Sequence, residues 1–126
     1  MSQRNRLLTY VVDDENVIAS TLELILISQG FDARAFVDPL YALEATRSET
    51  PNLLITDVMM PQMNGIELAI QVTQRCPECK ILLFSGQAAT GDLYVDAKAR
   101  GYEFDLLAKP VHPIALLEKI KQLVGN

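Results

Sequence analysis

Three kinds of side chain in this 126-residue sequence could do chemistry together: the carboxylates of Asp13, Asp14 and Asp57, the hydroxyl of Ser85 and the amine of Lys109. Taken singly, each has an ordinary explanation. Asp14 or Asp57 could cap a helix, Ser85 could sit in a turn and Lys109 could be a solvated surface amine. As a group they say more, because three carboxylates brought to one spot repel one another and would raise a pKa unless a cation lies between them. The acids contribute −3 and Lys109 +1, and the remaining −2 equals the charge of one divalent cation. Clustered carboxylate oxygens without imidazole favour a hard ion, and Mg²⁺, with Mn²⁺ as a substitute, suits a site that keeps several waters.

An ammonium group beside such an ion suggests phosphoryl chemistry, since the two together neutralise charge on phosphoryl oxygens. A carboxylate can itself accept the phosphoryl group. Asp57 stands alone and is the candidate nucleophile, whereas the adjacent Asp13 and Asp14 are better placed to hold the ion. Exchanging a carboxylate for an acyl phosphate of about −2 leaves an excess of about −1, which would recruit the Ser85 hydroxyl and pull on the segment that follows it.

These residues need elements that bring them together. Five apolar runs, at 7–12, 31–37, 52–56, 80–85 and 104–108, alternate with five helix-like stretches, a βαβαβαβαβα pattern. The first, third and fourth runs are near-continuously apolar, as expected for parallel strands covered on both faces. Right-handed crossovers bring the C-terminal ends of parallel strands to one edge, where open α/β sheets bind ligands. Asp13 and Asp14 end the first run, Asp57 the third, Ser85 the fourth and Lys109 the fifth, so all reach that edge. The second run ends at Asp38, which with Pro39 reads as a helix cap followed by proline at the first helical position.

His112-Pro113 repeats the proline placement, and Asn64 followed by Glu67 resembles a capping box. In the first helix Ile18, Leu22, Ile25, Leu26 and Gln29 share a face that would lie on the sheet, leaving Leu24 and Ile27 outward as two ordinary exposed aliphatics or a partner patch. The stretch 88–100 has few apolar anchors, with Gly101 as its expected end, which makes it a candidate moving part.

Composition narrows the class. At 126 residues and 49% apolar content the chain is expected to form one domain, 1–126, with a core that needs no metal or disulfide staple. No apolar run approaches the ~20 residues of a membrane span, and the polar start lacks a signal-peptide pattern, so a cytoplasmic location is the default expectation. A net charge of −5 disfavours a direct grip on nucleic acid, which depends on clustered Lys and Arg. Cys76-Pro77-Glu78-Cys79 matches the spacing of a dithiol redox motif. It ends a helix and precedes a strand, however, whereas a reactive pair gains thiolate stability at a helix N-terminus. One histidine and two cysteines cannot close a zinc site without carboxylates, so the motif reads as turn residues.

Across nearly its whole length the sequence closely resembles the receiver domain of bacterial two-component response regulators. The pieces that carry the resemblance are Val12-Asp13-Asp14-Glu15, the stretch from Thr56-Asp57 through Met59-Met60-Pro61, Met63-Asn64-Gly65, Phe84-Ser85-Gly86 and Lys109-Pro110. The resemblance implies a flavodoxin-like doubly wound (βα)₅ fold, strand order 2-1-3-4-5, with helices on both faces of the sheet. It also implies that Asp57 is the phosphoacceptor, taking phosphate from a histidine kinase or phosphotransfer protein. Mg²⁺ would be held by Asp14, Asp57 and the Met59 carbonyl, with Asp13 acting through water. Lys109 would pair with the phosphoryl group, Ser85 would be the switch hydroxyl and the Lys109-Pro110 bond would be cis. Met59 and Gln87 resemble positions that tune hydrolysis. The sequence departs from the family at Leu106, where an aromatic side chain usually stands and swings inward on switching.

The implied partners are the kinase or phosphotransfer protein, an output domain or effector protein, and a second copy of the chain, with no direct contact to nucleic acid or membrane. The module would catalyse its own phosphorylation and dephosphorylation without being a conventional turnover enzyme. Three other readings compete. An aspartyl-nucleophile phosphatase needs a second acid two residues after the nucleophile, where Met59 stands. A flavin-binding module would meet repulsion from Asp13-Asp14-Glu15. A phosphorylation-independent interaction module is favoured by Leu106. His112 precedes a proline as a helix-start residue and gives little support to a role as phosphodonor or ligand.

Overall fold

A computed structural model describes residues 6–86 and 90–125. Five parallel strands, β1 (Leu8–Val12), β2 (Asp32–Phe36), β3 (Leu53–Asp57), β4 (Lys80–Ser85) and β5 (Asp105–Ala108), form one sheet in the order β2-β1-β3-β4-β5. The helices α1 (Asn16–Ser28), α2 (Pro39–Ala45), α3 (Gly65–Arg75), α4 (Thr90–Ala99) and α5 (Pro113–Val124) alternate with them. This is the flavodoxin-like order expected from the sequence. The order reverses between β1 and β3, which opens a crevice at their C-terminal ends.

Strand alternation builds two cores. Tyr10, Val12, Leu54, Ile81 and Leu83 point to the face covered by α2, α3 and α4, while Val11, Leu53, Ile55, Leu82 and Phe84 point to the face covered by α1 and α5. Each fully buried side chain of this size contributes about 1.5–3 kcal/mol relative to exposure. That explains why the central strands lack alternating polarity. A polar tie fastens the loop after α2 to the sheet. The buried Tyr10 hydroxyl donates to Glu49 at 2.7 Å, and Arg34 donates to both oxygens of the same carboxylate at 2.6 and 2.7 Å.

The helix starts follow the sequence signals. Asp38 accepts from the Leu40 amide at 2.9 Å, Asn64 accepts from the Glu67 amide at 2.8 Å, and Pro39 and Pro113 open their helices. On α1 the expected sheet face is correct for Leu22 and Leu26 and incorrect for Gln29, which is exposed and caps the helix C-terminus. The first three turns of α1 lie on the sheet, but the last residue has already left it, and the buried residue that fills the face is Ala19. Val17, Leu24 and Ile27 are exposed. Val37, placed in the second run, is also exposed and lies beyond β2.

Among the described residues no helix is long and apolar enough to cross a membrane. Both cysteines are free and buried. Cys76 caps α3, the Cys79 amide donates to the Cys76 carbonyl at 2.9 Å, and burial pushes the Cys79 thiol up to about 12, so a turn, not a reactive dithiol, occupies this position.

The weak fourth helix is observed as Thr90–Ala99, and Gly101 follows in the left-handed region at φ 97°. Of the α4 side chains described, only Ala97 is fully buried, with Leu93 and Tyr94 half-buried and the Tyr94 hydroxyl donating to the Phe104 carbonyl at 2.6 Å. With so little apolar anchoring, α4 amides are expected to exchange with deuterium at least tenfold faster than those of β3 and β4. Equal protection in a native-state exchange experiment would contradict this.

Candidate functional site

Register delivers the site residues. Val12 pairs with Thr56, Asp57 with Phe84 and Ser85 with Ala108, so the last paired positions of β1, β3, β4 and β5 lie level across the sheet. Asp13 and Lys109 are each the next residue in their chains. Asp57 is the terminal residue of β3, buried inside the strand where the sequence run had stopped at Thr56.

Lys109 joins two of the acids. Its Nζ lies 3.4 Å from Asp13 Oδ2 and 3.2 Å from Asp57 Oδ1. The Asp13 side chain is 1% exposed and that of Asp57 11%, so solvent screens these charges weakly. Asp13 also accepts from the Glu15 amide at 2.9 Å, which turns the chain out of β1. Asp14 is exposed, yet one oxygen from each of Asp13, Asp14 and Asp57 lies within 4.8 Å of the others. The donor set is oxygen throughout: the exposed His112 caps α5 without a side-chain bond, and the cysteines lie at the opposite end of β4. These donors fit a hard divalent ion.

Electrostatics follow from the geometry. Burial pushes the Asp57 carboxyl above the usual carboxylate value, the nearby Asp13 adds to this, and the Lys109 ammonium opposes it. Burial disfavours the Lys109 ammonium, but attraction and hydrogen bonds from Asp13 and Asp57 prevail and hold its pKa above the ordinary value.

The main chain beneath Asp57 is tightly held. The Val58 amide donates to the Phe84 carbonyl at 3.1 Å, and the Gly65 amide donates to the Val58 carbonyl at 2.7 Å, closing the 58–65 loop at its base. A Cβ added at Gly65 would lie 2.0 Å from the Asp57 carbonyl oxygen. Only glycine lets α3 start this close to β3. Sequence reasoning included Gly65 in the family resemblance but gave it no role; a glycine at the first helical position, where better helix formers are available, was the signal. Met59, on this loop, is 46% exposed, and Leu106 on β5 is 42% exposed. Ser85 is half-buried and its carbonyl accepts from the Lys109 amide at 3.0 Å. Gln87 lies outside the described residues. The Lys109-Pro110 bond is cis, as the resemblance implied.

Known proteins share the sequence pattern and the fold. The family model described as "Response regulator receiver domain" matches residues 9–121. The DNA-binding transcriptional regulator NtrC of Escherichia coli K12 is 35% identical over 118 residues, covering 89% of this chain and 24% of that protein. The response regulator receiver protein CpdR of Brucella abortus is 32% identical over 114 residues, covering 90% of this chain and 93% of that protein. The crystal structure of a CheY-like response regulator receiver domain protein from Methanospirillum hungatei superposes with a TM-score of 0.81 at 25% identity, covering 94% of this chain and 93% of that one. The chain thus spans about a quarter of the length of the NtrC regulators and nearly the whole of CpdR. Fold and family match together define a receiver-type signalling module. The chain belongs to the response regulator receiver domain family of two-component systems.

Two stability predictions follow from the rim. Gly65→Ala forces a methyl against backbone that cannot yield, so it is expected to destabilise the protein by about 1–3 kcal/mol in urea denaturation. Asp57, with its folded pKa raised above 3.8, favours the folded state when neutral, and that contribution is lost as pH rises through the folded value. In metal-free buffer at pH 7, Asp57→Asn is therefore expected to melt at a higher temperature than the parent. The gap should close as pH falls towards 4, and a gap that widened on acidification would contradict the assignment.

Proposed function

We propose that this chain is a phosphoacceptor module in which Asp57 receives a phosphoryl group from a sensor histidine kinase or phosphotransfer protein. The observation that carries the reading is the Lys109 ammonium held between Asp13 and Asp57, with Asp14 within reach of the same point. An Asp57 carboxylate oxygen forms the new bond to phosphorus as the phosphorus–nitrogen bond of a phosphohistidine breaks, and the departing imidazole keeps the bonding pair. Lys109 moves its charge to a phosphoryl oxygen, and the Ser85 hydroxyl turns to a second one, drawn by the added negative charge.

Asp14, Asp57 and the Met59 carbonyl would hold Mg²⁺, or Mn²⁺ in its place, with Asp13 engaged through water. When bound, the ion neutralises charge on the phosphoryl oxygens. By their resemblance to hydrolysis-tuning positions of the family, Met59 and Gln87 set the lifetime of the acyl phosphate in this reading. Leu106 replaces the usual aromatic, so in this reading the signal leaves through backbone shifts or through Tyr102 or Phe104 and not through rotation of a ring at position 106. The module is a single domain working in the cytoplasm. Its output is an attached domain, an effector protein or a second copy of itself, and its −5 charge leaves nucleic acid contact to a partner.

Incubation with Mg²⁺ and acetyl phosphate is expected to add one phosphoryl group by intact mass spectrometry. Asp57→Ala and chelation by EDTA should each abolish the addition. Labelling that persists in Asp57→Ala overturns the proposal. The exposure of Leu106 favours a second reading, a phosphorylation-independent interaction module. An oligomeric state or partner affinity that is identical with and without beryllofluoride would support it.

A further inference from the structure

We infer that Thr56 is a positioning residue for Asp57, acting through its hydroxyl and in concert with Gly65. The inference rests on the phosphoacceptor reading of Asp57.

Thr56 precedes Asp57 on β3, and its side chain faces the opposite side of the sheet, towards α3. It is fully buried, and its Oγ1 donates to the Asp57 main-chain carbonyl at 2.9 Å. That carbonyl is the one Gly65 presses against: the absent Cβ would lie 2.0 Å from the oxygen and 3.1 Å from Thr56 Oγ1. The next carbonyl along, that of Val58, accepts from the Gly65 amide at 2.7 Å. Two successive carbonyls at the end of β3 are thus fixed by Thr56 and Gly65.

The consequence is geometric. The Asp57–Val58 peptide is tied on one side by its amide, which donates to the Phe84 carbonyl, and on the other by Thr56 Oγ1; rotation of this peptide would swing the 58–65 loop, which carries the Met59 carbonyl, relative to the Asp57 side chain. A hydroxyl that prevents the rotation aligns the nucleophile and a prospective ligand as one unit. Transfer to a carboxylate requires near-attack alignment, where about 1 Å of misplacement can cost about 100-fold in rate. A buried threonine kept only for packing would be replaceable by valine, which has nearly the same shape and lacks the hydroxyl.

The test compares Thr56→Val, which keeps the shape, with Thr56→Ser, which keeps the hydroxyl and loses a methyl. Both are measured for acetyl phosphate-driven phosphorylation, melting temperature and deuterium exchange at the Gly65 amide of the metal-free protein. Thr56→Val is expected to be phosphorylated about tenfold more slowly and to exchange the Gly65 amide faster. Thr56→Ser should keep close to the parent rate although it has lost apolar contact in the core. A structural role alone predicts the reverse, with rates following stability. The inference is overturned if Thr56→Val reacts at the parent rate, or if Thr56→Ser is as slow as Thr56→Val. If Thr56→Val does not fold, Thr56→Ala, which also lacks the hydroxyl, takes its place and is judged against Thr56→Ser by the same criteria. If the parent itself takes no phosphoryl group, the phosphoacceptor reading fails, and unchanged Gly65 exchange in Thr56→Val would separately overturn the clamp.

Discussion

The ammonium of Lys109 between the carboxylates of Asp13 and Asp57 is the interaction on which the rim depends. Burying two carboxylates side by side is costly, and their attraction to a cation offsets that cost only when the geometry is close. The fold supplies the geometry by ending β1, β3 and β5 at one level, with Lys109 reaching in from the edge strand. The charges are still not balanced, since three acids face one amine. A core built for stability alone would place apolar side chains here. The residual negative charge is retained local strain of the kind expected where a protein binds a cationic or charge-changing ligand.

Everything beneath the rim serves to hold it still. Apolar strands pack against helices on both sides, and the Tyr10, Arg34 and Glu49 tie secures the loop leading into β3. Gly65 then lets α3 begin against the Asp57 carbonyl, so the loop between β3 and α3 is short, closed and anchored. The rigidity is uneven: β3 is buried along its whole length, whereas the described side chains of α4 anchor it through one small buried residue and two half-buried ones.

Much of this was legible in the residues. Continuous apolar runs told of strands covered on both faces, and the polar residue ending each run told which edge would carry chemistry. Capping by Asp38 and Asn64 was readable because a side-chain oxygen placed two or three residues before a backbone amide has few other partners. What was not legible depends on distance in three dimensions. Asp13 and Asp14 are adjacent and chemically identical, yet one is buried against Lys109 and the other is exposed, because the chain turns outward just past β1, where the Glu15 amide donates back to Asp13. Gln29 lay on the apolar face by angle alone, but a helical wheel does not say where the sheet stops. The Gly65 and Thr56 contacts with the Asp57 carbonyl involve backbone, which periodicity does not report.

The two cores share no side chains; only the sheet lies between them. A rearrangement of α4 would therefore disturb the layer it shares with α2 and α3 and leave the layer of α1 and α5 as it was. That second layer is a fixed frame of reference. A protein gripping the bare aliphatic side chains of α1 would meet the same surface whatever had happened at the acids, and one resting on α4 and the neighbouring edge strand would meet a surface that changes. Recognition and readout can in this way be assigned to opposite sides of a slab one sheet thick.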